Sequence, residues 1–130
     1  MNKPEILTAF NNHITDFFND VCRIFPNNSD LKIAQTSLST FRKMNPKLII
    51  GIWKEYIVDK YRMEIEEGNI EFFVERNYSS DLKDVGQATK ILEKIDTLRE
   101  PIRQMGEDNL KKSCEYIQNL TKICDLYYKL

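Results

Sequence analysis

The stretch LIIGIWKEYIVDKY, residues 48–61, constrains the fold more than any other part of the chain. Plotted as an α-helix at about 100° per residue, its apolar side chains spread over an arc of roughly 220°. A helix that packs on one side only shows an apolar stripe of about 100°. We therefore expect a central helix at about residues 46–67, with the other helices packed around it. The apolar residues of this arc are Leu48, Ile49, Ile50, Ile52, Trp53, Tyr56, Ile57 and Tyr61.

The residues before this stretch predict two further helices. Apolar residues recur at spacings of 1, 3 and 4 over residues 4–25 and stop at a proline, as in an amphipathic helix. A second helix is predicted from about residue 30 to residue 44, with Ser29 or Asp30 as its N-cap. Asn45 is then the cap of the central helix, and Pro46 its first residue.

Gly68 is a natural C-terminal stop for the central helix, because glycine adopts the left-handed conformation that often ends a helix. Asn69 can cap a short helix, IEFFVER. A loop, NYSSD, follows, in which Ser79 or Ser80 can cap the next helix.

The last third of the chain carries two apolar rows with heptad-like spacing. These rows predict an antiparallel helical hairpin whose seams face each other or the central helix. Pro101 interrupts the first row, and since the heptad phase continues through it, we favour a kinked helix over two separate helices. The first row is Ala88, Ile91, Ile95, Leu98, Ile102 and Met105, and the second is Leu110, Cys114, Ile117, Thr121, Cys124 and Tyr128. The whole chain, residues 1–130, is thus predicted to be a single all-α domain, a compact bundle of five to six helices.

Charge and composition exclude several classes of protein. The formal net charge is −1, with 9 basic and 7 acidic residues in 1–65 and 10 basic and 13 acidic in 66–130. Neither half has the basic excess that drives phosphate binding by counterion release, so we expect no general nucleic-acid affinity. We also expect no membrane span, because no apolar run reaches about 18 residues. The four glycines stand apart, so the sequence has no glycine-rich phosphate loop.

Few residues are candidates for chemistry. His13, the only histidine, forms a row with Asp16 and Asp20 on the first helix, but zinc usually recruits several cysteine or histidine ligands. A solvated surface row is the simpler interpretation. The cysteines lie on or beside apolar stripes, where inert buried thiols are usual, and their odd number favours a reducing compartment. They are Cys22, Cys114 and Cys124.

Two groups of charged residues are further candidates. Asp59 and Lys60 fall within the apolar arc of the central helix. The ordinary explanation for charged residues there is an ion pair, or a long side chain that buries its aliphatic part and keeps its charge in water. An acidic cluster, interpreted as a solvated helix end, brackets the turn at Gly68. It comprises Glu64, Glu66, Glu67, Glu71 and Glu75. We predict no catalytic, cofactor-binding or metal-binding residue.

Tyrosines are the best candidates for a binding surface. The chain has six, and their hydroxyl groups make full burial of all of them costly. Tyr127 and Tyr128 are adjacent on one helix, so at least one should face outward. Core and rim packing is the commoner outcome for such residues, and an interface with a protein partner is the alternative. The candidate interaction residues are Tyr116, Tyr127 and Tyr128.

The chain resembles a group of small uncharacterised helical proteins of nucleocytoplasmic large DNA viruses. The likeness spans most of the chain: an F-x-x-D/N run ending in FP, then NPKLII with a following W, GNIEFF and the YIQNLTK tail. The resemblance implies a viral protein of the host cytoplasm, the viral factory or the virion, which agrees with reduced cysteines. It implies no activity, cofactor or catalytic residue.

Three functions follow from these observations. The first is a non-enzymatic interaction or structural protein with a viral or host protein partner, or with itself as a homodimer. The second is a nucleic-acid-associated accessory factor that uses a local basic face of Arg42, Lys43 and Lys47. The third and least favoured is a small helical enzyme that uses Asp59, His13 or the acidic cluster.

Overall fold

The structure is a computed structural model, and it describes residues 2–75 and 86–130. Every regular element in these residues is helical, which confirms the predicted all-α bundle. The α-helices are α1 (Lys3–Ile24), α2 (Ser29–Met44), α3 (Leu48–Trp53), α4 (Asp59–Glu66), α5 (Glu71–Glu75), α6 (Gln87–Asp96), α7 (Arg99–Arg103) and α8 (Glu107–Lys129). A π-helical turn, Lys54–Val58, joins α3 to α4.

The cap of α2 is Asn28, so the prediction of Ser29 or Asp30 is wrong. Asn28 has an extended backbone, and its side chain accepts a hydrogen bond of 3.1 Å from the Leu31 N–H. Ser29 already belongs to the first helical turn. The physical reason is that a cap residue must leave helical geometry while its side-chain oxygen reaches back to the free N–H groups.

The helix formed by α3, the π turn and α4 is central, as predicted. α3 contacts α1, α2, α6 and α8, and Ile49, Ile50 and Trp53 are each at most 1% exposed. Its start differs from the prediction. Asn45 accepts a hydrogen bond from the Lys47 N–H at 3.1 Å, which forms a turn through Pro46, and the helix begins two residues later than Pro46, at Leu48.

Gly68 ends α4 as predicted. Its φ of +74° is left-handed, and the Asn69 N–H reaches the Glu64 carbonyl at 2.9 Å while the Gly68 N–H reaches the Ile65 carbonyl at 3.1 Å. This pair of bonds is the Schellman motif. Asn69 then accepts a hydrogen bond from the Glu71 N–H at 3.1 Å, as its predicted role of cap requires. The predicted loop cap, Ser79 or Ser80, lies outside the described residues.

Pro101 lies in a separate helix, so the favoured kink is wrong. α6 ends at Asp96, and Pro101 occupies the first turn of α7. A proline is accommodated there because N–H groups of the first turn have no helical partner to lose. The heptad row nevertheless stays buried through the break, since Leu98 and Ile102 are each at most 1% exposed.

The C-terminal helix α8 packs chiefly along α1, and it also contacts α3, α4 and α7. α6 packs against α2 and α3. Both seams reach the central helix, as one of the two predicted arrangements allows, but their principal neighbours are α1 for α8 and α2 for α6, which neither arrangement included. The exposed end of the second row is Tyr128, at 43%, while its neighbour Tyr127 is buried.

Candidate functional site

The first cluster of interest surrounds Tyr116 where α8 meets α1. Its ring stacks on Phe17, with centroids 4.8 Å apart and planes 11° apart, and it lies 4.9 Å from the His13 ring. The Tyr116 hydroxyl donates a hydrogen bond to the Asp20 carboxylate, which also pairs with Arg23 at 2.7 Å. Tyr116 is therefore committed to the interface between two helices of its own chain.

Burial shifts the pKa of both titratable rings of this cluster away from their usual values. Burial and the bond to Asp20 raise the pKa of Tyr116 to about 12, so the phenol stays neutral. Burial lowers the pKa of His13, against an opposing effect of Asp16, and the His13 Nε2 atom is buried without a hydrogen-bond partner.

Two members of the predicted row, His13 and Asp20, take part in these contacts, while Asp16 is exposed. His13 packs on Tyr116, and Asp20 binds Tyr116 and Arg23. Over residues 2–75 and 86–130, no group of three or more His, Cys, Asp or Glu side chains is placed to hold a metal ion.

The three cysteines are free thiols. Burial raises the pKa of each, in the case of Cys124 to about 12. A thiol whose pKa is raised carries little thiolate, the nucleophilic form. Cys124 donates to the Ile50 carbonyl and Cys114 to the Gly68 carbonyl, while Cys22 donates to Gln35. Cys124 is buried as predicted, whereas Cys22 and Cys114 are only half-buried.

The charged candidates lie at the surface. Asp59 pairs with Lys54 at 2.8 Å, and the Lys60 ammonium lies 5.8 Å from the centre of the Tyr56 ring. The ordinary explanation, pairing with neighbours, is thus confirmed for Asp59. In the acidic cluster, Glu64 is half-buried and the other four glutamates are exposed.

The three candidate tyrosines do not form one surface. Tyr116 and Tyr127 are 11 residues apart on α8, roughly 16 Å along its axis. Tyr127 is buried, with the Lys3 ammonium 4.7 Å from its ring centre. Tyr128 is the exposed member of the adjacent pair, as the sequence predicts for at least one of them.

Tyr128 borders a shallow groove between α3 and α8, which we call the Tyr128 face. The Lys54 ammonium lies 5.5 Å from the Tyr128 ring centre. A Cβ atom at Gly51 would lie 3.6 Å from the Tyr128 hydroxyl, so the ring sits directly beside the glycine. The face is lined by Asn45, Lys47, Leu48, Gly51, Ile52, Lys54, Glu55, Asp59 and Tyr128.

The basic residues of the second hypothesis are split between two grooves. Arg42 and Lys43 line a groove between α1 and α2, while Lys47 lines the Tyr128 face. The Arg42 guanidinium donates to Asn12 at 2.7 Å. The groove also contains the buried Asn11, which donates to the Pro46 carbonyl at 2.9 Å.

Sequence reasoning missed the polar contacts that tie distant helices together. The Arg62 guanidinium donates two bonds of 2.9 Å to Asp125, which raises the pKa of Arg62 and lowers that of Asp125. The Trp53 indole N–H donates to Thr121 at 3.4 Å inside the core. A polar residue in the second apolar row, Thr121, was the one available signal for the latter contact.

Comparisons with known proteins found no similar protein: no protein-family model, no curated protein and no solved structure matches the chain. Among the described residues, no helix is both long enough and apolar enough to span a bilayer.

Proposed function

We propose that this chain is a non-enzymatic interaction protein that pairs with a second copy of itself through the Tyr128 face. The observation that carries the proposal is the half-exposed Tyr128 ring beside Gly51. Aromatic residues are enriched at protein interfaces, where they supply large contact areas at low entropic cost. Gly51 adds no side chain, so the Tyr128 ring lies close to the α3 backbone, with its hydroxyl 3.6 Å from where a Cβ atom would be.

The charges on the Tyr128 face support a second copy as the partner. Lys47 and Glu55 are both exposed and lie four residues before and four residues after Gly51. In a two-fold dimer the same patch is used twice in opposite directions. Two antiparallel copies centred on Gly51 therefore place Lys47 of each protomer opposite Glu55 of its partner.

The groups with reactive chemistry support a non-enzymatic role. Tyr116 and Asp20 are hydrogen-bonded to each other, and burial raises the pKa values of the three thiols. The resemblance to helical proteins of large DNA viruses gives the setting of the proposal, which is the host cytoplasm, the viral factory or the virion. A small self-associating helical protein suits a structural or scaffolding task there.

The test is the molar mass in solution, measured by light scattering across a range of concentrations. We expect the mass to rise from 15.4 kDa toward twice that value as concentration increases. Tyr128→Ala should shift the equilibrium to the monomer. Leu126→Ala is the matched control, because Leu126 is 53% exposed on the same helix but does not line the face.

A charge swap makes the geometry itself testable. Lys47→Glu and Glu55→Lys should each weaken the dimer, because each places like charges opposite one another. The double variant should restore it, since both pairs then become favourable again. A mass that stays at 15.4 kDa at every concentration, or a double variant weaker than either single one, would overturn the proposed dimer.

A further inference from the structure

A separate cleft of about 170 Å³ lies between α1 and α8, on the side where Tyr116 packs. Its floor is made of buried side chains, and its rim carries the exposed Arg23, Ile24 and Lys112. The lining residues are Phe17, Asp20, Val21, Arg23, Ile24, Met105, Asn109, Lys112, Ser113 and Tyr116. None of them belongs to the Tyr128 face.

The floor is apolar and sized for one aromatic ring. Phe17 and Val21 are each 1% exposed and Met105 is 8% exposed, so they form a closed hydrophobic base. A cavity of about 150 Å³ in another protein accommodates a benzene molecule. Ile24, at 39% exposed, leaves an apolar edge on the rim that a ring in the cleft would cover.

The polar groups of the cleft favour a ligand with an anionic head. Asp20 is already neutralised by Arg23 at 2.7 Å and accepts the Tyr116 hydroxyl. Lys112 is exposed, and the described residues provide no ion-pair partner for it. Ser113 is 3% exposed, and within residues 2–75 and 86–130 its hydroxyl donates to the Met105 sulfur alone, which is a weak acceptor.

We propose that this cleft binds a small aromatic carboxylic acid, with its ring between Phe17 and Met105 and its carboxylate at Lys112. The ring replaces water against the apolar floor, which is the main source of affinity. The carboxylate pairs with the one lining cation that the described residues leave unpaired, and Ser113 and Asn109 supply further hydrogen-bonding groups near it.

The test uses phenylacetate as the probe and its neutral amide, phenylacetamide, as the comparison. Backbone NMR shifts of the full chain are followed during titration. For a ligand of this size we expect a dissociation constant on the order of 1 mM for phenylacetate. Phenylacetamide should bind about fivefold more weakly, because it lacks the charge that an exposed lysine recognises.

Variants of the protein test the recognition of the ligand's carboxylate and of its aromatic ring separately. Lys112→Gln should weaken phenylacetate binding about fivefold, to the level of the amide, while Lys111→Gln, the neighbouring lysine outside the cleft, should leave binding unchanged. Ser113→Leu should fill the cleft and abolish the binding of both probes, with circular dichroism used to check its fold. Tyr128→Ala should bind as the wild type does.

Three results would overturn the inference. The first is the absence of saturable shifts near Tyr116 and Ser113 at probe concentrations well above the expected dissociation constant. The second is equal loss from Lys111→Gln and Lys112→Gln, which would indicate diffuse charge attraction. The third is equal affinity for the acid and the amide, which would remove the carboxylate from the proposal.

Discussion

Thr121→Val should destabilise the protein by removing the acceptor of a buried indole. Trp53 and Thr121 are 1% and 4% exposed, and the indole N–H donates to the Thr121 hydroxyl at 3.4 Å. That hydroxyl in turn donates to the Ile117 carbonyl at 2.9 Å. Valine has nearly the same shape but accepts no hydrogen bond, so the indole N–H would be buried without a partner.

The size of the effect follows from the geometry. A buried polar group that loses its partner costs about 1 to 3 kcal/mol. The bond of 3.4 Å is long, which places the loss in the lower half of that range, at about 1 to 1.5 kcal/mol. The Ile117 carbonyl keeps its helical bond and adds little. With a urea dependence of about 1.5 kcal/mol per molar, the midpoint should fall by roughly 0.7 to 1 M.

The assay is urea unfolding followed by far-ultraviolet circular dichroism, in a double-mutant cycle with Trp53→Phe. In the Trp53→Phe background the indole N–H is absent, so Thr121→Val should be close to neutral or slightly stabilising. The difference between the two backgrounds isolates the contact. Equal destabilisation in both backgrounds would refute the reasoning, because the cost would then come from Thr121 packing alone.

Two further predictions concern single residues. Because burial lowers the pKa of His13 in the folded state, the unfolded chain binds the proton first as pH falls below about 6.5. The contribution of neutral His13 to the free energy of unfolding is therefore complete above that pH and is lost on acidification. His13→Gln should reduce the change in urea midpoint between about pH 7 and pH 5. Gly68→Ala should cost about 1 to 2 kcal/mol in urea unfolding, because φ is +74°. Gly106→Ala is the control with little effect, since its φ is −70° and no atom lies within 4 Å of the added Cβ.

Local signals predicted much of the fold. Gly68 and Asn69 act as stop and cap because both roles depend only on residues within one helical turn of them. The alternatives at Pro101 were also local, but the choice between a kink and a break depends on packing against neighbouring helices. Asn28 was missed because several adjacent polar residues can each cap a helix, and the chain entering α2 decides which one adopts the extended backbone.

The candidate site was less predictable, because its contacts join residues far apart in the chain. Tyr116 binds Asp20 across 96 positions, and Trp53 binds Thr121 across 68. Helical periodicity identifies the face on which each residue lies but not the helix that it meets. The sequence therefore identified tyrosines as a class worth attention. Only the pairing of α8 with α1 and α3 separates half-buried Tyr116 and buried Tyr127 from exposed Tyr128.

The wide apolar arc of residues 48–61 has a second cause besides burial, and the π turn reveals it. On a straight α-helix, Val58, Tyr61 and Ile65 would lie about 180°, 120° and 160° from Ile49, well away from Trp53 at about 40°. The π turn at Lys54–Val58 accommodates one extra residue, which rotates the following helix back by about 100°. Val58 and Tyr61 then fall at about 80° and 20°, on either side of Trp53. Ile65 follows the non-helical backbone of Tyr61, whose φ is −127°, and all three residues are at most 6% exposed. A helical wheel drawn at a fixed 100° per residue cannot detect such a correction, because it displays the effect of the extra residue as a wider apolar arc. The two halves of the central helix therefore bury a narrower stripe than one straight helix would.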